Sequence, residues 1–302
     1  MSWLLFAFSG PVLWAVSTHL DKYLVERFFK ESNVAVLLVF TALAGVALLP
    51  PIWYFQPGVF DLDFRSIALM MLSGLLYMGG LFFYLQALQT EEASVVAPFF
   101  QASPLFGYVL AYVVLGERLT PIQMLGGLLI IAGASLVSLR PGANGSKFRA
   151  RTAALMLTCA LAMALSSLIF KAFAVREQFW PTTFWMFVGE AIFGAGLLAV
   201  TSFRRQFMAL FRSHPGALIT INGANELINL GGALGNRYAL LLAPLSLVQA
   251  VGSTTTLFVF FFGIVLTLLY PRFGRESLSI GELIQKGAAA VLVAVGVACI
   301  SR

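Results

Sequence analysis

The sequence predicts an all-α integral membrane protein with ten transmembrane helices, arranged as two inverted five-helix repeats. Two observations indicate the membrane class. The 302 residues include only 19 basic and 13 acidic side chains, or 11% charged, whereas about a quarter of a soluble domain is charged. Hydrophobic residues make up 60% of the chain. The third observation, the similarity of the two halves, predicts the repeat. This composition excludes a soluble enzyme, a disordered chain and a secreted disulfide scaffold.

Long charge-free stretches define the helices, because about 20 mostly apolar residues suffice to cross a bilayer. The start of the chain has neither the basic segment nor the cleavage site of a signal peptide. The predicted spans are 3–21, 33–55, 66–88, 93–115, 121–139, 152–174, 180–201, 216–239, 244–270 and 282–300. The net charge of +6 comes from residues that flank these spans, so we expect a multi-pass protein of the cell (inner or plasma) membrane and no nucleic-acid partner.

The two halves of the chain resemble each other across a polar linker, residues 141–151, which separates repeats 1–140 and 152–302. A shift of 152 residues places Gly79–Gly80 on Gly231–Gly232, and a shift of 149 places Lys22 on Lys171. The fifth and tenth spans both begin with the pattern of a capping box, Thr120 to Gln123 and Ser279 to Glu282. An odd number of helices in each repeat makes the halves opposite in orientation, as in many transporters.

The segment Leu75–Ser138 resembles the EamA domain of the drug/metabolite transporter superfamily. The matching features are Tyr84–Leu88 at the end of the third span, Pro104 in the fourth, Leu115–Thr120 at the start of the fifth, and Gly126 and Gly133 within it. The second repeat matches more loosely, since Tyr270–Ser277 replaces the compact Gly-Glu-Arg segment. The resemblance implies a transporter of small metabolites. It also implies a central cavity lined by the first, third, fourth, sixth, eighth and ninth helices.

Motifs for catalysis or cofactor binding are missing from the sequence. There is no zinc pattern and no phosphate-binding loop, so we expect no cofactor, no metal and no enzymatic activity. Gly194–Ala199 matches a dinucleotide fingerprint. It lies within a hydrophobic span, however, and therefore predicts helix packing. The paired glycines have two interpretations, close helix contact or a hinge in a moving helix.

A polar stripe on the eighth span is the main candidate for a functional surface. Asn222, Glu226, Asn229, Ala233 and Arg237 recur at spacings of 4, 3, 4 and 4, which places them on one helical face. Lipid does not tolerate such a face, so it lies against protein or a water-filled cavity. A structural hydrogen-bond network is the alternative to a substrate cavity. We expect Arg237, near the predicted span end, to reach the headgroups.

Two groups of candidate residues follow. The predicted substrate-cavity residues are Trp14, Thr18, Tyr77, Tyr84, Gln101, Asn222, Glu226, Asn229, Gln249 and Ser253. The candidates for charge or coupling are Glu226, Glu190, Lys171 and Arg237. We expect Lys22 and Lys171 to reach the headgroups as well. Glu226, a carboxyl near the middle of its span, makes protons the candidate coupling ion.

The predicted function is secondary transport of a small metabolite, such as an amino acid or an amphipathic compound, by alternating access. The alternative is a membrane-embedded sensor or lipid-site protein that does not transport; a channel is disfavoured because no filter is evident. The orientation is ambiguous. Eleven basic residues flank one side of the predicted spans and four flank the side with both termini, which places the termini outside the cytoplasm. The family resemblance implies that they lie inside.

Overall fold

The described part of the chain is almost entirely helical. The structure is a computed structural model that describes residues 2–28, 33, 35–90, 99, 102–138, 150–269 and 280–301, and it has no strand among these residues. The polar linker, 141–151, lies outside the described residues except for its last two positions.

The described residues of the first half form five α-helices. They are α1 (Ser2–Arg27), α2 (Ala35–Phe55), α3 (Phe64–Thr90), α4 (Ala102–Leu110) and α5 (Pro121–Ser138). A 3₁₀ turn, Pro57–Phe60, precedes α3, and a π-helical turn, Ala111–Leu115, extends α4. Pro104 is buried in α4; most of the predicted fourth span before Ala102 lies outside the described residues.

Besides a single helical turn, Pro215–Ala217, the described residues of the second half form seven longer helices. They are α6 (Ala150–Glu177), α7 (Phe179–Ala199), α8 (Thr201–Ser213), α9 (Gly223–Leu242), α10 (Leu245–Gly252), α11 (Thr255–Leu269) and α12 (Ile280–Ile300). A π-helical turn, Leu218–Asn222, leads into α9. The sequence did not predict α8, an amphipathic helix that carries three of the basic residues counted as span flanks, Arg204, Arg205 and Arg212.

The predicted ninth span, 244–270, was wrong as a single helix. It breaks between α10 and α11 at Ser253–Thr254. The hydroxyls of the four residues from Ser253 to Thr256 each donate to the carbonyl oxygen three residues earlier, at distances of 2.6 to 3.1 Å. Such hydroxyls compete with the backbone for hydrogen bonds, which accounts for an interruption within an apolar segment.

Among the described residues, six segments are long and apolar enough to cross a membrane. They are Ser2–Asp21, Ala35–Phe55, Phe64–Ala87, Ala150–Glu177, Phe179–Ala199 and Leu245–Leu269. Ala102–Leu115, Pro121–Leu136 and Gly287–Ile300 are shorter apolar helices. Helix α9 is not one of the six, because its polar residues lower its mean hydropathy. The chain is therefore an all-α membrane protein.

Glycines allow the main helix pairs to approach closely. The most extensive contacts join α5 to α12, α1 to α9, α3 to both α6 and α7, and α2 to α7. A Cβ atom on Gly126 would lie 2.7 Å from the carbonyl oxygen of Gly296, and the reverse contact has the same distance. Gly74 and Gly189 similarly face the backbone carbonyls of Met186 and Met71 where α3 crosses α7. No residue with a side chain fits at these crossings without moving a helix.

The repeated glycines also lie at helix contacts. A Cβ on Gly80 would lie 3.2 Å from Cγ of Met163, and one on Gly232 would lie 3.0 Å from Nε1 of Trp14. Gly194 of α7 packs against α2, where a Cβ on Gly194 would lie 2.5 Å from the Cβ of Ala42. These contacts agree with the packing interpretation of the glycine pairs and of the dinucleotide-like segment.

The capping box predicted at the start of α5 is confirmed. The Thr120 amide donates to Oε1 of Gln123 at 3.1 Å, and the Gln123 amide donates to Oγ1 of Thr120 at 3.3 Å. Its predicted counterpart lies outside what the structure describes, since Ser279 and the side chain of Glu282 are not included.

Candidate functional site

The polar stripe of α9 faces the protein interior, as the sequence predicted. Asn222, Glu226 and Arg237 are only 2, 7 and 5% exposed, and Asn229 and Ala233 are partly buried. The stripe contacts two groups of partners. Its Arg237 end meets α3, α6 and α7, whereas its Glu226 end meets α1 and α2.

A buried ion pair joins α7 to α9. Nη2 of Arg237 donates to Oε1 of Glu190 at 2.5 Å. The expectation that Arg237 reaches the headgroups was therefore wrong, because a carboxylate inside the protein stabilises the guanidinium where it lies. Helix α9 also extends to Leu242, which places Arg237 deeper than the predicted span end did.

Three aromatic rings surround the guanidinium of Arg237. Its central carbon lies 4.8 Å from the ring centroid of Phe187, 5.6 Å from that of Tyr77 and 5.9 Å from that of Phe170. These distances are within the range of cation–π interactions. Nη1 of Arg237 is buried and has no hydrogen-bond partner among the described residues.

A small internal cavity adjoins Arg237. Its volume is about 40 Å³, and it is lined by Tyr77, Ser166, Ser167, Phe170, Met186, Ala233, Asn236, Arg237 and Leu240. This volume accommodates about one water molecule. The walls come from α3, α6 and α9, three of the helices that the resemblance implied, and from one residue of α7. Of the predicted site residues, Tyr77 and Arg237 line it.

A second buried polar cluster lies where α9 crosses α1 and α2. Nδ2 of Asn225 donates to Asp21 at 2.6 Å, and Oγ of Ser17 lies 3.4 Å from the same carboxylate. Oγ1 of Thr41 donates to Oε1 of Glu226 at 3.2 Å. Asp21 is close enough to Glu226 for the two carboxyls to interact electrostatically, and Asn229 hydrogen-bonds to Glu226.

Sequence reasoning missed three members of this cluster. Ser17, Thr41 and Asn225 are ordinary polar residues within apolar spans, and only Asn225 stands beside the stripe. Their spacing along the chain carries no signal of contact, since Thr41 and Glu226 are 185 residues apart. The oxygen Oδ1 of Asn225, a fully buried residue, lacks a hydrogen-bond partner within the described part of the chain.

The remaining predicted cavity residues are distributed over other contacts. Trp14 packs on Gly232. Thr18 is exposed and donates to the carbonyl of Trp14 at 2.8 Å. Tyr84 packs against the buried side chains of Ala87 and Met156. Their roles in substrate binding stay predictions.

Gln249, Ser253 and Asn222 are also not among the residues that line the cavity. Gln249 contacts the backbone of Gly107 so closely that a Cβ there would collide with its amide. Ser253 donates to a carbonyl at the end of α10. Asn222 lies in the π-helical turn before α9, and its Oδ1 has no hydrogen-bond partner in the described chain. Gln101 is outside the described residues.

Lys171 takes part in a second ion pair, and this one joins the two halves of the chain. Its Nζ lies 2.5 Å from Oε1 of Glu117 and donates to the carbonyl of Ala243 at 2.5 Å. Oε2 of Glu117 accepts the amide of Leu245 at 2.9 Å. We call these four residues the latch. Lys171 therefore does not extend to the headgroups as expected. The side chain of Lys22 is outside the described part of the chain.

Glu117 belongs to the Leu115–Thr120 motif, but sequence reasoning gave it no role. The latch gives one: its carboxylate binds the first amide of α10 and a lysine of α6. Carboxylates are favoured at helix N-termini, where the first backbone N–H groups have no intrahelical acceptor. The motif thus stabilises the junction of α9 with α10 in the opposite half.

Comparisons with known proteins agree with this description. Residues 1–139 match the model of the EamA-like transporter family. A solved structure, described only as the crystal structure of a protein, is similar with a TM-score of 0.68 and 17% sequence identity, covering 99% of this chain and 96% of that one. At this identity the likeness shows the fold alone. No curated protein sequence matches the chain. The family match therefore covers the first half of the chain, which is similar to the EamA-like transporter family as the sequence predicted.

Proposed function

We propose that the chain is a secondary transporter of the cell membrane that moves a small metabolite, such as an amino acid or an amphipathic compound. The observation that carries the proposal is the buried polar stripe of α9, which meets two carboxyl-containing clusters inside a membrane protein. Ionisable groups at such depth are costly and usually functional. Because residues 1–139 match a transporter family, transport is the function that we assign to these buried ionisable groups.

The packing of the helices supports an inverted repeat. In the predicted repeat, α1 to α5 correspond in order to α6, α7, α9, α10–α11 and α12. Exchanging corresponding helices turns the α1–α9 contact into the α3–α6 contact and the α4–α6 contact into the α1–α11 contact. The same exchange leaves the α2–α7 and α5–α12 pairs unchanged. A pseudo-two-fold axis in the membrane plane relates halves in this way.

The break between α10 and α11 at Ser253–Thr254 is compatible with the same arrangement. Transporters built from inverted repeats commonly interrupt corresponding helices near the binding site.

Alternating access requires contacts that close each end of the polar interior in turn. At one end the latch joins α4, α6 and the α9–α10 junction through Lys171 and Glu117. At the opposite end an apolar cluster joins α1, α2, α8 and the turn before α9, through Leu24, Val36, Phe40, Leu210 and Leu218. In the proposed cycle, one of these closures opens while the other holds.

The test is solute flux into proteoliposomes. Purified protein is screened against a metabolite panel by thermal shift, and each solute that binds is assayed for uptake and for counterflow. We expect at least one such solute to cross only in liposomes that contain the protein. The exposed substitution Arg212→Gln, on α8, should leave this flux unchanged. Solutes that bind without crossing would contradict transport and favour the sensor or lipid-site alternative.

A further inference from the structure

Nη1 of the buried Arg237 guanidinium has no hydrogen-bond partner among the described residues, and we propose that it binds the carboxylate of a ligand whose remainder is apolar. The inference deepens the proposed function and rests on it, since the ligand would be the transported solute. The observations are the partner of Nη2, the lack of one at Nη1, and the cavity beside the guanidinium.

The hydrogen bonding of Arg237 leaves Nη1 available. Nη2 is occupied by Glu190, but within the described chain Nη1 has no acceptor, although the residue is only 5% exposed. Buried donors nearly always have partners, because a lost hydrogen bond to a charged group is costly. An arginine presents five N–H donors in a planar fork, so one guanidinium accommodates carboxylates on two of its edges.

The cavity beside Arg237 has the composition of such a site. Hydroxyls of Ser166 and Ser167 and the amide of Asn236 provide its polar wall. Phe170, Met186 and Leu240 provide an apolar wall. Its present volume of about 40 Å³ admits a carboxylate group rather than a whole metabolite. The apolar body of the ligand therefore enters when the helices separate during the transport cycle.

The charges around Arg237 further restrict the chemical class of the ligand. Glu190 already offsets the charge of Arg237, so a second carboxylate would leave a net negative charge in a region of low dielectric. A ligand that carries its own ammonium group avoids this cost.

The test compares acids with their amides on the same apolar skeleton. Phenylalanine, leucine and tryptophan are titrated against the purified full chain in nanodiscs, beside phenylalaninamide, leucinamide and tryptophanamide. Binding is measured by calorimetry. We expect an acid to bind about 10- to 100-fold more tightly than its amide, because a charge-assisted hydrogen bond to Nη1 is lost.

Two variants at Arg237 distinguish a loss of ligand binding from a loss of folding. Arg237→Lys keeps a cation for Glu190 but lacks the second edge, and the double variant Glu190→Gln, Arg237→Gln leaves no unpaired charge. Both should retain the helical circular dichroism of the wild type and lose the preference for acid over amide. Arg212→Lys, the same substitution at an exposed position, should keep it.

The proposal is overturned if an amide binds as tightly as its acid, if no acid binds the wild type, or if either Arg237 variant keeps the preference. These results are distinct from a failure of transport. Solute flux that persists without an acid preference leaves the transporter intact and removes the carboxylate site. Acid binding at Arg237 without flux of any solute leaves the site and removes the transporter.

Discussion

Breaking the latch between Lys171 and Glu117 should destabilise the protein by an amount that depends on which partner remains. At the observed 2.5 Å and an effective dielectric constant of about 20, the direct attraction is roughly 6–7 kcal/mol. Desolvation offsets much of it, since the two side chains are only 12 and 16% exposed. We expect a net cost of about 2–4 kcal/mol for removing one partner, slightly below that of a fully buried pair.

The two oxygens of Glu117 allow the ion pair to be separated from the helix cap. Glu117→Gln removes the charge but keeps an acceptor for the amide of Leu245, so it should cost only the ion-pair contribution. Glu117→Ala also removes that acceptor and should cost about 1 kcal/mol more, as a lost N-cap does. Lys171→Met combined with Glu117→Gln leaves no unpaired charge and should be less harmful than the sum of the single changes.

The assay is reversible unfolding in mixed micelles, with a double-mutant cycle over the two positions. The matched control is Arg176→Met, an exposed basic residue five positions further along α6, which should change stability little. A coupling free energy of about 2 kcal/mol or more is expected. If both single variants lie within about 0.5 kcal/mol of the wild type, or if their effects simply add, the latch does not stabilise the fold and this reasoning is refuted.

Three further predictions concern different parts of the chain. Gly189→Ala places a Cβ against the backbone carbonyl of Met71, and this overpacking should cost about 1–3 kcal/mol in the same unfolding assay. Glu226→Gln keeps the shape of a group hydrogen-bonded to Thr41 but cannot titrate, so it should abolish flux driven by a pH gradient while solute exchange persists. Hydrogen bonds from the hydroxyl and amide of Ser66 hold the pKa of Asp63 below its ordinary value. The stabilisation by Asp63 is therefore complete at neutral pH and is lost as the pH falls below about 4, so wild type and Asp63→Ala should converge in thermal unfolding between pH 7 and pH 3.

Each of these predictions has its own control or contrary result. Gly196, also in α7, faces open space, so Gly196→Ala should be neutral or slightly stabilising; equal effects at Gly189 would contradict the crossing geometry. Full gradient-driven transport by the Glu226 variant would make that carboxyl structural. A stability difference at Asp63 that stays constant over the pH range would show that its ionisation does not stabilise the start of α3.

Helix positions were largely predictable because lipid imposes a simple requirement on the backbone. The predicted spans 33–55 and 180–201 closely match α2 (Ala35–Phe55) and α7 (Phe179–Ala199). The break near Ser253 was missed because apolar length dominates such predictions, although four consecutive hydroxyl residues were a visible signal. Helix α8 was missed for the opposite reason, since its three arginines argue against a membrane span.

The partners within the site were less predictable than its location. The stripe on α9 showed that polar groups face inward, because helical spacing alone decides this. The pairing of Arg237 with Glu190, 47 residues away, depends on which helices cross. The pairing of Lys171 with Glu117 also depends on helix packing, and these two residues belong to opposite halves. From the sequence alone, Arg237 and Lys171 are each better explained as anchors at the lipid headgroups. That conclusion was wrong for both residues, since each forms an ion pair inside the protein.

The reciprocal movement of the two ends is the most direct test of alternating access. Spin labels at Val113 and Val175 report on the latch end, and labels at Arg27 and Leu268 report on the opposite end. All four positions are exposed, and Cys159 and Cys299 are first replaced by alanine. Distances are measured by electron paramagnetic resonance in nanodiscs with and without the substitution Lys171→Met.

If the two halves alternate, breaking the latch lengthens the distance between Val113 and Val175 and shortens the distance between Arg27 and Leu268. An opening at the latch end that leaves the other distance unchanged, or a lengthening at both ends, would contradict alternating access by this chain.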